Sequence, residues 1–250
     1  MTGKNGRGPL IATAPSASAG RPATIWVLAG TAAAFLQSLA SAAQPQTVSC
    51  SASDWIVTGG TADERRLICE GVAKAEALLG SCGIRTSEPV DLVVADSLLD
   101  FCGSKAHAVF DSRDKTISIA PMDVCVSERI ENGYFDLLNP QVAYLSIAAH
   151  EATHAILDAN GIRPKQWVGN EYMAAIVQYA AIPPEERDDL IEALMEPVPV
   201  SAEEINGVIY GFAPLIFAAR SWLHYSALPQ PCAFLNDVVS GAFSFVDIRY

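Results

Sequence analysis

Hydrophobic and polar positions repeat with two different periods along this chain, and they predict strands in its first part and helices in its second. Residues 61–64 read Thr-Ala-Asp-Glu, a capping box that opens a helix reaching about residue 79. The apolar run 90–95 predicts a strand. The alternating runs 107–111 and 116–120, separated by a polar turn, predict a β-hairpin.

Two long apolar stretches in the middle of the chain predict buried helices. The first begins at Asn139-Pro140, an N-cap followed by proline, and stops at Asn160-Gly161. The second runs from about Val168 to Ile182, where Pro183-Pro184 stops it. A helix and a sheet with a hairpin, followed by a mainly helical half, make an α+β fold. Further segments, predicted from caps and prolines, are a helix over 184–196, a helix over 201–225, and a final helix or irregular tail after Pro231.

The first 42 residues have the character of an export signal. They carry three basic residues and no acidic one, and an apolar stretch over residues 23–43 contains the small-residue site Ala40-Ser41-Ala42. This predicts a secretory signal peptide cleaved near Ala42, or an uncleaved membrane anchor, since a membrane span needs about 20 apolar residues. Residues 43–250 are then one domain of an exported protein, periplasmic or secreted, which meets a membrane only through such an anchor.

All six cysteines follow the predicted leader, which agrees with export. None of them stands in a Cys-x-x-Cys pair, so a thiolate metal site or a redox motif is not indicated. An even number of cysteines in an exported chain suggests up to three disulfides, and Cys102 with Cys125, which flank the hairpin, is the pairing we expect first. The alternative is a cytosolic protein with free thiols.

The charge balance argues against a nucleic-acid partner. Residues 43–250 retain 13 basic residues of the chain's 16 and all 28 acidic ones, a net charge of −15. Phosphate contacts need a basic patch, so binding to DNA or RNA is not expected.

The segment His150-Glu151-Ala152-Thr153-His154 carries the most specific chemistry in the chain. Residues four apart project from the same face of a helix, so the two imidazoles can bind one Zn²⁺. Glu151 is rotated by about 100° from His150, beside the metal, where a carboxylate can act as a general base. The alternative is a pair of hydrogen-bonded core histidines, which would leave three buried polar groups costly to satisfy.

A catalytic zinc site needs a third protein ligand, and Glu171 in the next predicted helix is the candidate. The alternative is a glutamate that merely favours the positive end of a helix dipole. Gln178, two turns further on the same face, could orient a ligand.

These residues resemble the gluzincin metallopeptidases, and more narrowly their compact peptidase-MA-like members. The resemblance covers about residues 105–182 and rests on the His-Glu-x-x-His motif followed by Pro164, Trp167, Glu171 and Ala174. Tyr172 stands where those enzymes usually have glycine, and Ala175 where thermolysin-like enzymes carry a partner carboxylate. The resemblance implies a small zincin-like fold, a zinc cofactor held by His150, His154 and Glu171, and a peptide or protein substrate.

Peptide hydrolysis also requires a hydrogen-bond donor for the oxyanion, and in gluzincins a His or Tyr of the C-terminal half often supplies it. The candidates are His224, Tyr210 and Tyr172, each of which could equally be a core-packing residue.

The hairpin could present an edge strand to an extended peptide, or be an ordinary sheet edge. We therefore expect an exported zinc peptidase. The alternative is a catalytically inactive zincin-like binding or assembly module of the cell envelope, which would have no need of Glu151.

Overall fold

The described part of the chain up to residue 121 consists of short strands and one long helix, and the elements after residue 121 are helices. The computed structural model describes residues 46–50, 54–86, 88–101, 104–128, 133–162 and 167–246. The predicted leader, residues 1–42, lies outside them. Across the described residues, no helix combines the length and the apolar character that crossing a membrane requires.

The main sheet has five strands in the order β1-β2-β3-β7-β6, and a separate antiparallel pair is formed by β4 and β5. β2, β3 and β7 run parallel, while β1 and β6 pair antiparallel at the two edges. The predicted hairpin is the β6–β7 pair, and the predicted strand at 90–95 is β3. The strands are β1 (Thr47–Ser49), β2 (Ile56–Thr58), β3 (Asp91–Val94), β4 (Leu99–Phe101), β5 (Ser104–Ala106), β6 (Ala108–Asp111) and β7 (Thr116–Ile119).

The predicted helix starts are confirmed by their caps. Thr61 and Glu64 form the expected capping box, and the Asn139 side chain accepts a hydrogen bond from the backbone N–H of Gln141. The α+β arrangement inferred from the sequence is therefore present. The helices are α1 (Ala62–Ser81), α2 (Met122–Ser127), α3 (Tyr134–Leu137), α4 (Pro140–Ala159), α5 (Trp167–Ala181), α6 (Pro184–Leu194), α7 (Gly207–Phe212), α8 (Pro214–Ala227) and α9 (Pro231–Ser240).

The core lies where α1, α4 and α5 pack together over one face of the sheet. Alternate residues of β3 and β7 are buried, so one face of the sheet supplies apolar side chains to this core. α1 crosses α4 at Gly71, where a Cβ atom would lie 2.6 Å from the carbonyl oxygen of Leu145. Glycine at this point lets the two backbones approach closely.

The single helix predicted over 201–225 is wrong. The Ser201 capping box opens only a 3₁₀ turn, Ala202–Glu204, and Asn206 then caps α7 by accepting hydrogen bonds from the N–H groups of Val208 and Ile209. α7 ends at Phe212 because Pro214, at the first turn of α8, disfavours a helical conformation for Ala213. The apolar pattern continues across the break before α7 and the break between α7 and α8, so it did not indicate either of them.

The predicted Cys102–Cys125 disulfide is also wrong. Cys125 is a free, buried thiol that donates a hydrogen bond to the carbonyl of Ala120, and burial raises its pKa to about 12. Cys102 lies outside the described residues. The observed disulfides are Cys50–Cys69 and Cys82–Cys232. Two disulfides indicate an oxidising environment, as expected of an exported protein.

Candidate metal centre

Two helices bring the predicted metal ligands together. His150 and His154 lie one turn apart on α4, and Glu171 lies in the first turns of α5, which packs against α4. The ligand atoms of the three residues all lie within 4.8 Å of one another. The described residues thus contain a group that could hold a metal ion, made of the residues inferred from the sequence.

The distances within this group suit a tetrahedral ion. The two histidine Nε2 atoms are 3.2 Å apart, and Glu171 oxygens lie 3.6 Å from Nε2 of His150 and 3.7 Å from Nε2 of His154. Ligands at about 2.0–2.1 Å from Zn²⁺ in a tetrahedral arrangement are about 3.3–3.4 Å apart. The group therefore matches the ligand spacing of a tetrahedral metal site to within a few tenths of an ångström.

The hydrogen bonds around the group leave its ligand atoms free for a cation. Nδ1 of His150 lies 2.9 Å from Oε1 of Gln178, which makes Nδ1 the protonated nitrogen and leaves the lone pair on Nε2. Oε2 of Glu171 is buried and has no hydrogen-bond partner among the described residues. A buried carboxylate oxygen without a partner is costly, and a bound cation would remove that cost.

The pKa values of the ligands point the same way. Burial alone would raise the pKa of Glu171, but His154, His150 and the phenol of Tyr210 lower it to about 2. Burial alone would lower the pKa of His150, but the carboxylates of Glu171 and Glu151 raise it. The lowered pKa of Glu171 and the raised pKa of His150 both mean that the site favours positive charge next to its carboxylates. A divalent cation supplies such charge.

Glu151 stands beside this group and is not part of it. Its side chain is mostly buried, and Oε2 accepts a hydrogen bond of 2.9 Å from the backbone N–H of Phe110 in β6. This bond fixes a carboxylate at the wall of a cleft of about 610 Å³, which is also lined by His150, His154 and Glu171. Glu151 is therefore within reach of a molecule bound in the cleft.

Tyr210 is the predicted donor that lies at the cleft. α7 carries it, and its ring packs edge-on against Trp167 with centroids 5.1 Å apart. Its phenol interacts with the Glu171 carboxylate, and burial together with that negative charge raises the phenol pKa. Tyr210 therefore stays protonated, and its single O–H donates to the Glu171 carboxylate.

His224 and Tyr172, the other two candidates, lie together in another part of the core. The Tyr172 hydroxyl and Nδ1 of His224 are 2.9 Å apart, and both rings pack against Phe234. Neither residue is among those that line the cleft.

Two contacts at the cleft were not foreseen from the sequence. One is the N–H of Phe110, a backbone group that no residue-type pattern reveals. The other is the salt bridge between Lys115, in the hairpin turn, and Asp158, near the end of α4. Lys115 adopts a positive φ of 58°, which is uncommon for a residue other than glycine. The bridge ties the hairpin to the helix that carries the two histidines.

Comparison with known proteins identifies the family and leaves its activity open. Residues 55–247 match a family of unknown function, DUF6639. The chain belongs to this family. No curated protein matches the chain, and no solved structure matches it. The DUF6639 match spans the metal group, Glu151 and Tyr210, so the function has to be inferred from the chemistry of these residues.

Proposed function

We propose that this protein is an exported zinc-dependent peptidase. The observation that carries the proposal is the convergence of three ligand residues with one carboxylate, Glu151, that stays outside the ligand group at the same cleft. A purely structural zinc site has four protein ligands and needs no adjacent base. The resemblance to gluzincins over residues 105–182 supports the same function.

Each residue of the site would have its own role in peptide hydrolysis. Zn²⁺ held by His150, His154 and Glu171 would supply Lewis-acid chemistry, polarising a carbonyl oxygen and lowering the pKa of water. Glu151 would accept a proton from the attacking water and deliver it to the leaving amine as the C–N bond breaks. The Tyr210 phenol would donate a hydrogen bond to the oxygen that gains negative charge.

The edge of the sheet favours an extended peptide as the substrate. Among the described strands, β6 is the last of the five-stranded sheet, and β7 pairs with only one of its edges. Ala108, Val109 and Phe110 of β6 line the cleft, and the N–H of Phe110 is already bonded to Glu151. Hydrogen bonds from the other backbone groups along such an edge would bind a peptide without demanding one side chain.

The substitution Glu151→Gln tests the function directly. It preserves shape and removes the base, so hydrolysis of a peptide library should fall by roughly two orders of magnitude while bound zinc is retained. Glu185→Gln on exposed α6 is the matched control and should change neither property. Cleavage of the library by the wild-type protein and zinc by elemental analysis are the two measurements.

Two other outcomes would overturn this proposal. Equal loss of zinc and hydrolysis in Glu151→Gln would make Glu151 a ligand. The protein would be an inactive binding or assembly module if two results held together. The zinc-loaded wild-type protein would cleave no peptide of the library, and the Glu151→Gln variant would fully substitute for the wild-type protein in the native host.

Export is the second part of the proposal. The two disulfides and the leader-like composition of residues 1–42 support it. Mass spectrometry of the native protein should find an N-terminus near Ala43 or Gln44. An intact Met1 in a membrane fraction would instead mean an uncleaved anchor, and an intact Met1 in the cytosol would contradict export.

A further inference from the structure

A second pocket opens beside the metal group, on the side of α5 and α8. Its volume is about 220 Å³, and it shares His150, Glu171 and Tyr210 with the larger cleft. A ligand whose carbonyl reaches the metal group is therefore next to this pocket. Its remaining wall includes His107, Tyr134, Ala175, Leu215, Phe217 and Ala218.

The pocket offers a bound group mainly apolar contacts. α8 contributes three apolar residues to the wall, Leu215, Phe217 and Ala218. Gln178, also in the wall, already engages His150 through its carbonyl oxygen. The Tyr134 phenol interacts with that of Tyr179. The Gln178 oxygen and the Tyr134 phenol are therefore already engaged within the protein, and these two atoms offer a polar ligand little.

His107 adds one polar atom to this wall. Its ring packs edge-on against Phe135, and its Nε2 atom is buried without a hydrogen-bond partner among the described residues. Burial lowers the pKa of His107, so the ring is neutral at neutral pH. Among the described residues, the wall holds no lysine or arginine that could pair with an acidic side chain, so burying a carboxylate in this pocket would be costly.

The size of the pocket suits a single side chain. Whole drug-sized ligands occupy pockets of roughly 300–1,000 Å³. A cavity of about 150 Å³ lined by apolar side chains is already enough to hold benzene. A pocket between these limits has room for a leucine or phenylalanine side chain.

We propose that this pocket selects substrates by receiving one apolar side chain, of leucine to phenylalanine size, next to the bond that is cleaved. The proposal rests on the proposed peptidase function and names its substrate class. Because the pocket and the cleft share the metal group, an extended peptide along β6 can place one side chain here while its neighbouring carbonyl lies at His150 and Glu171.

A binding experiment tests the pocket without any turnover. Protein labelled with ¹³C at alanine and leucine methyl groups is titrated with toluene, a phenylalanine side-chain analogue, and separately with acetamide, with and without added Zn²⁺. Toluene should shift the NMR signals of Ala175, Leu215 and Ala218, while acetamide should not. The methyl group of Ala75, buried in α1, is the reference and should stay unmoved. Absence of toluene shifts at the three pocket positions, or equal shifts with acetamide, would overturn the pocket.

A cleavage experiment tests selection. Wild-type protein should hydrolyse peptides with Leu or Phe at one position beside the cleaved bond at least tenfold faster than peptides with Asp there. Leu215→Ala enlarges the pocket, so the rate ratio of Trp to Leu peptides should rise about tenfold, the discrimination expected for a change of a few methylene groups. Leu235→Ala removes the same atoms from the buried core of α9, outside the pocket, and should leave the ratio unchanged.

The two experiments separate the two proposals. Toluene binding without hydrolysis of any peptide would keep the pocket and refute the peptidase. Hydrolysis without preference for apolar side chains, or an equal change of the ratio in Leu215→Ala and Leu235→Ala, would keep the peptidase and refute selection by this pocket.

Discussion

Glu171 and Tyr172 are neighbours on α5, yet they belong to two different regions of the molecule. Glu171 faces α4 and joins His150 and His154 at the cleft. Tyr172 faces the other way, into a buried aromatic region with His224 and Phe234. Both regions contain histidine and tyrosine. Only the metal group brings polar atoms close together while leaving some of them without a hydrogen-bond partner.

This difference separates a reactive site from a packed core. In the aromatic region the Tyr172 hydroxyl and Nδ1 of His224 lie 2.9 Å apart and pair with each other. In the metal group an oxygen of Glu171 is buried and unpartnered, and two Nε2 atoms face each other at 3.2 Å. Residue type and burial alone do not distinguish the two regions; the hydrogen-bond partners do.

The sharpest way to separate the regions is to remove one histidine from each. His154→Ala should reduce bound zinc from about one per chain to a small fraction, because two ligands cannot replace three. His224→Ala should keep the zinc and lower the free energy of unfolding by about 1–3 kcal/mol, since Tyr172 loses its partner. Elemental analysis and urea unfolding measure both. Full zinc in His154→Ala, or loss of zinc in folded His224→Ala, would reverse the assignment.

The disulfides provide a second contrast. Cys82–Cys232 joins the end of α1 to α9, which carries Phe234 of the aromatic region, and it closes a far longer loop than Cys50–Cys69, with sequence separations of 150 and 19. Loop entropy predicts a loss of about 5 kcal/mol of unfolding free energy for a Cys82→Ser, Cys232→Ser variant. It predicts about 3 kcal/mol for Cys50→Ser, Cys69→Ser.

The two disulfide variants should also differ from His154→Ala in their zinc content. Zinc per folded chain should be unchanged, since neither bond contacts the metal group. Denaturant unfolding of the two double variants, with zinc measured on the folded fraction, checks this prediction. A larger loss of stability in the Cys50, Cys69 variant would contradict it.

The smallest change compares two single hydroxyl groups. Tyr172→Phe should lower the free energy of unfolding by about 1–3 kcal/mol, because His224 is left with a buried, unpaired nitrogen, and should hardly alter hydrolysis. Tyr210→Phe should have the opposite profile, with hydrolysis reduced by roughly 10²-fold and little change in stability. Urea unfolding and peptide hydrolysis are measured on both variants. An exchange of the two profiles would move the oxyanion donor to Tyr172.

Local signals account for the elements that could be predicted. The helix expected between Asn139 and Asn160 is observed as Pro140–Ala159, because a cap, a proline and a long apolar run agree. The helix expected over 201–225 is broken, because the apolar pattern does not register a second cap at Asn206 or the effect of Pro214 on the residue before it. β1 and β2 were not predicted, since they are three residues long and partly exposed.

The sequence by itself determined that His150 and His154 share one face of a helix with Glu151 beside them, because helical geometry sets those directions within a single turn. It also indicated Glu171 and Gln178 through their places in the next helix. Only the tertiary structure decided that Tyr210 lies at the cleft and that Tyr172 pairs with His224. Neighbours on a helix differ by about 100° in direction, so the packing of α5 between α4 and α8 selects which side chain faces which region. The disulfides were decided in the same way, because cysteine spacing leaves fifteen pairings open and only the folded chain brings particular sulfurs together.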